Sequence, residues 1–146
     1  MSTRSTIPLI WGTNYIDDYA DPAAGADKVI ATPNNARARL LVLSFTLTTD
    51  ANAANRHVHI QHYDGAKTIE LGAAGAFVTA SSVCNFTAAP ALSNNVTYVG
   101  TFQSFGIADI ANFYEGHELH IHVINIQVGD QISACIAEWS NYIYKQ

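Results

Sequence analysis

With 146 residues, 49% of them hydrophobic, the chain suits one domain with a sizeable core and is too apolar to be intrinsically disordered. Charged residues supply only 13%, so Ser, Thr, Asn, Gln and Ala must cover much of the surface. Seven scattered basic residues against twelve acidic ones, for a net charge of −5, exclude a nucleic-acid footprint, and no apolar run reaches the length of a membrane span.

Residues 1–36 differ from the rest. They are small, polar and acidic, hold three of the four prolines, and show no sustained periodicity. Their start, MSTRSTIPLIWG, lacks the apolar stretch of a signal peptide, so synthesis in a reducing cytoplasm is expected. Ile7–Trp11 and Lys28–Ala31 can form short strands, and Asp21-Pro22 and Pro33-Asn34-Asn35 read as turns. The segment reads as an extended N-terminal arm leading into a β-sandwich domain over 37–146. Asp17-Asp18 reads as a solvated turn within it.

From Arg37 the pattern is β throughout. Arg37–Thr49 sets Arg39, Leu41, Leu43, Phe45 and Leu47 on one face and Leu40, Val42, Ser44 and Thr46 on the other; its first half is apolar on both. After a turn at Asp50–Ala54, Asn55–Tyr63 alternates, with Val58 and Ile60 opposite His57, His59 and Gln61. Asp64-Gly65 is a hairpin turn before Lys67–Leu71. Short strands follow at Ala76–Thr79, Val83–Thr87 and Val96–Phe102, with loops at Gly72–Gly75 and Ala88–Asn95. Gly106–Tyr114 fits either a short helix or an extended edge. His117–Gln127 alternates Leu119, Ile121 and Val123 against Glu118, His120 and His122, and Gly129-Asp130 turns the chain into a long final strand, Gln131–Tyr144. Roughly eight short strands without a helical period indicate an all-β, antiparallel sandwich or jelly-roll-like fold.

Six histidines fall in two segments, H57-V-H-I-Q-H62 and H117-E-L-H-I-H122. Alternation puts His57 and His59 on one face, and His120 and His122 beside Glu118 on another. If the strands pair, the imidazoles can converge as metal ligands, a pattern superficially like cupin sites. The same positions are those where a half-exposed strand needs polar residues, and the expected reading is structural, with no metal, cofactor or catalytic residue. Gly72–Gly75 does not precede a helix, no Gly-x-Ser-x-Gly is present, and Cys84 and Cys135 have no adjacent base. Both thiols are expected free. Glu138 is expected to be a buried structural carboxylate.

Aromatic residues gather at the two ends. Trp139 is assigned to the core. Trp11, Tyr15 and Tyr19 are assigned as interface anchors, because Trp and Tyr bury large area while keeping a polar handle.

Two segments carry a resemblance: RARLLVLSFTLTTDANAANRHVHIQ, with its Thr-Thr-Asp…Asn-Arg turn, and HELHIHVINIQVGDQISACIAEW, with its Asn-Ile-Gln…Gly-Asp…Glu-Trp pattern. Residues 37–63 and 117–140 resemble small tailed-bacteriophage β-sandwich proteins of the virion. The resemblance implies a non-enzymatic capsid decoration (cement) protein on the outer capsid surface. Its partners would be the major capsid protein, whose subunits it would bridge, and itself, as a homotrimer. The alternatives are a tail or fibre-tip host-binding module and a cupin-like metal-binding enzyme.

Overall fold

The computed structural model describes residues 9–32, 37–93, 95–97, 101–109 and 113–144, with backbone alone for 9–13, 95–97 and 142–144. Among the described residues ten strands run in chain order: β1 (Leu9–Tyr19), β2 (Lys28–Ala31), β3 (Arg37–Thr48), β4 (His57–Tyr63), β5 (Thr68–Ala73), β6 (Val83–Pro90), β7 (Asn95–Thr97), β8 (Phe102–Ile107), β9 (Glu118–Ile124) and β10 (Gln131–Tyr144). Among the described residues there is no helix. Six strands form one sheet in the order β1-β10-β3-β6-β8-β7, and four form a second in the order β2-β9-β4-β5. Every pairing is antiparallel except β6 with β8.

The inner faces share one core. The large sheet contributes Leu43, Phe45, Phe86, Phe105 and Trp139, and the small sheet contributes Ile30, Val58, Ile60, Leu119 and Ile121, all buried. Phe45 stacks on Phe86 at 5.1 Å, and Phe113 meets the Trp139 ring edge-on at 5.4 Å. In β4 and β9 the period-two pattern is kept from end to end.

β3 and β10 depart from it. In β3 the buried positions are Ala38 and Leu40, then Leu43, Phe45 and Leu47, so the inward set changes parity. The pairing explains this: Glu138 lies opposite Val42 and Trp139 opposite Leu40, leaving Leu41 as an extra residue in the ladder. Leu41 is therefore not on the Leu43 face, and the apolar character of both faces at the start of this strand reflects the change of side. β10 has a second irregularity between Ser133 and Ile136, where Ala134 adopts φ 50°. There the inward set changes from Ile132 to Cys135, Ala137 and Trp139.

Residues 9–31 are not an arm outside the sandwich. β1 runs beside β10 from Leu9↔Tyr144 to Tyr19↔Cys135, and β2 pairs with β9 from Lys28↔Ile121 to Ala31↔Glu118. The polar residues of β1 fit an edge strand with only one face on the core. Residues 1–8 and 33–36, which held the rest of the expected arm, lie outside the described residues. Ala76–Thr79 supplies a single bridge, Arg56↔Val78, in place of a strand. Val96–Phe102 gives way to β7 and β8. Of Gly106–Tyr114, Gly106 and Ile107 end β8 and Phe113 bridges to Ala38.

Arg56 locks the turns at one end of the two sheets. Its guanidinium is fully buried, and Nε and Nη2 donate to the two Asp130 carboxylate oxygens at 2.8 and 3.0 Å. Nη2 also donates to Asp50 Oδ1 at 2.7 Å, and Nη1 donates to the carbonyls of Asn52 and Ala54 at 2.9 and 2.8 Å. All five N–H groups of the side chain are used. Asp130 in turn accepts the backbone N–H groups of Asp50 and Gln127. Burial pushes the Asp130 carboxyl up, but the Arg56 hydrogen bonds and these two amides outweigh it and hold it below the usual carboxylate range.

Candidate functional site

The outer face of the four-stranded sheet collects the histidines. β4 and β9 are neighbours, with His59 opposite His122 and Gln61 opposite His120. Because Val58, Ile60, Leu119, Ile121 and Val123 occupy the core side, His57, His59, His120 and His122 all face outward, half-buried. The sequence places these four on strand faces correctly, and the register unites them.

Each imidazole has a defined partner. His57 Nε2 contacts the Ala74 carbonyl at 2.8 Å, and His59 Nδ1 meets Glu70 Oε1 at 2.5 Å. His122 Nδ1 meets Asp27 Oδ2 at 2.6 Å, and His120 Nε2 meets Glu118 Oε1 at 3.0 Å. His59 Nε2 lies 3.1 Å from His57 Nδ1. Glu70 on β5 and Asp27 just before β2 were not singled out from sequence; only cross-strand pairing brings them here. Asp27 also accepts the Val123 amide at 3.0 Å, which fixes its carboxylate against β9. Among the described residues, no three His, Cys, Asp or Glu side chains already surround one point as a metal would require.

The remaining two histidines sit elsewhere. His62 is on the core side of β4, 4.2 Å from the Phe113 ring, and its Nε2 is 2.9 Å from His117 Nδ1. Burial, reinforced by His117, lowers its pKa. Its Nδ1 is buried without a partner, so the proton of the neutral ring belongs on Nε2, donating to His117.

The inferred interface aromatics divide. Tyr15 and Tyr19 point inward from β1, opposite Trp139 and Cys135, and pack half-buried against the core. Trp139 Nε1 donates to Tyr19 Oη, and burial raises the Tyr19 hydroxyl to about 12. The Trp11 backbone pairs with Tyr142, and its side chain lies outside the described residues. Asp17 and Asp18 are within β1 on opposite faces, not in a turn. Glu138 is half-buried on the outer face of the six-stranded sheet, opposite Ile16.

That outer face presents the exposed apolar side chains of Ile16, Val83, Phe102 and Ile136 among Ser44, Thr46, Thr48, Asn85, Thr87 and Ser104. Both thiols are free and buried, on β6 and β10. No family model matches the chain, and no curated protein or solved structure is significantly similar to it.

Proposed function

We propose that this chain is a non-enzymatic structural protein of a tailed-bacteriophage virion, of the capsid decoration type, acting by bridging subunits of the major capsid protein. The observation that carries the reading is strand order. In β1-β10-β3-β6 and β2-β9-β4-β5, eight strands pass from sheet to sheet, apart from the β4–β5 hairpin, in the sequence that two Greek keys generate. This supports a jelly roll, extended at one edge by β8 and β7. Jelly rolls recur in viral capsid proteins as well as in lectins and cupins, so the resemblance of residues 37–63 and 117–140 to virion proteins is needed to choose among them.

The outer face of the six-stranded sheet suits the role. Ile16 is 67% exposed, Val83 53% and Phe102 51%, within a surface of hydroxyl and amide side chains that costs less to desolvate than a charged one. A decoration protein needs such a surface because it stays soluble alone and then buries the same patch at many equivalent positions. Self-association as a trimer would match the local three-fold axes of a shell.

Purified particles probed by quantitative mass spectrometry should contain the chain in high copy, comparable to the major capsid protein. A few copies per particle would instead indicate a tail or fibre-tip part. Added to shells that lack it, the protein should raise their resistance to heating, and an Ile16→Asp, Phe102→Asp variant should not.

A further inference from the structure

The geometry points to a zinc-type divalent cation site on the histidine face of the four-stranded sheet, seated on His57 Nδ1 and His59 Nε2 and closed by His122. The reasoning begins with protons. A carbonyl only accepts, so the contact of His57 Nε2 with the Ala74 carbonyl places the ring proton on Nε2 and leaves a lone pair on Nδ1. The contact of His59 Nδ1 with the Glu70 carboxylate likewise places the proton on Nδ1 and leaves a lone pair on Nε2. Those two bare nitrogens are the pair that lie 3.1 Å apart.

Two lone pairs at that distance repel unless a cation lies between them, either an added proton or a metal ion. Three features favour the metal. Tetrahedral zinc, with Zn–N bonds of about 2.0–2.1 Å, spans two ligand nitrogens about 3.3 Å apart, close to the observed spacing. Each ring offers its other nitrogen to a carbonyl or carboxylate, the arrangement that orients imidazoles for metal ligation. A third imidazole repeats the pattern: His122 is held at Nδ1 by Asp27, which leaves its Nε2 bare, and its ring centroid lies 6.3 Å from that of His59. With Nδ1 kept on Asp27, a pivot of the His122 ring about that hydrogen bond carries Nε2 toward the ion as third ligand, and solvent supplies the fourth. The His59 side chain is 18% exposed and that of His122 39%, so an ion reaches the site from solvent. Glu70 and Asp27 add negative charge beside it.

The test uses the full chain without an affinity tag, stripped with chelator and titrated with Zn²⁺ by calorimetry near neutral pH. One ion per chain is expected. Glu70→Ala should weaken binding by about tenfold, His59→Ala should weaken it further, and His120→Ala, on the same face but outside the site, should leave it unchanged. Circular dichroism confirms that each variant is folded. An independent readout on the unaltered chain is Co²⁺ substitution, where the visible absorption of a tetrahedral nitrogen-ligated ion is expected. Absence of saturable Zn²⁺ binding would mean that the bridging cation is a proton and would overturn the proposal. So would equal losses in His59→Ala and His120→Ala, or an octahedral Co²⁺ spectrum.

Discussion

Trp139 Nε1 donates to Tyr19 Oη across 2.8 Å, joining the last strand to the first beneath the sheet surface. Trp139 is fully buried and its indole nitrogen is a donor only, so Tyr19 is its means of satisfaction. Tyr19→Phe should keep the ring and strand the donor. The expected loss is about 1–3 kcal/mol, read as a lower urea midpoint with an unchanged slope. An unchanged midpoint would show that the indole N–H has another acceptor.

Removal of residues 1–19 should abolish cooperative unfolding. β1 covers one edge of β10 along ten paired positions, and its Tyr15 and Tyr19 shield Trp139 and Cys135. The shortened chain would expose a long apolar strand edge and should aggregate. A truncated protein with a sharp thermal transition like that of the full chain would restore the view of this segment as a dispensable arm.

Asp130→Asn should destabilise the fold by about 3–5 kcal/mol, because it leaves the buried Arg56 charge without its main partner. The acid behaviour follows from the same pair. The folded-state pKa of Asp130 is depressed, so its contribution is fully present above the ordinary carboxylate range and is lost as pH falls through the folded value. Denaturation midpoints between pH 7 and pH 3 should fall less in Asp130→Asn than in the unaltered protein. Parallel curves would mean that other carboxylates govern acid unfolding.

Cys84 and Cys135 should resist alkylation in the native state. Burial raises both thiols, Cys135 to about 11, so little thiolate exists near neutral pH. They also belong on β6 and β10, with β3 between them. Two strand spacings amount to about 9–10 Å, beyond the reach of a disulfide. Iodoacetamide should modify both residues after unfolding without reductant and neither before it. Modification of the native protein at either site would show local opening of the core.

The all-β class and most strand positions were legible because β4, β6, β9 and much of β3 obey alternation, which sequence displays directly. β1 was not, since residues such as Asn14, Asp17 and Asp18 resemble a solvated loop until β10 is seen beside them. Leu41 could not be assigned a side, because a bulge is a property of two paired strands. At the histidine face, His57, His59, His120 and His122 stood out by type and spacing. Glu70 and Asp27 did not, since they are 11 residues from His59 and 95 from His122 and meet them only through the sheet. The Arg56, Asp50 and Asp130 network was hidden for the same reason.

The central position of β10 also sets a timetable for synthesis. β1 is made long before its hydrogen-bonding partner, residues 135–144. β3 waits for the same strand on one side, and β2 waits for β9. Until β9 is made both sheets are incomplete, and until β10 follows, β1 and β3 in the six-stranded sheet keep open edges. Completion of the sandwich thus waits for β10 and is dominated by contacts between distant parts of the chain, the circumstance in which folding is slow and chaperones have the longest opportunity to engage it.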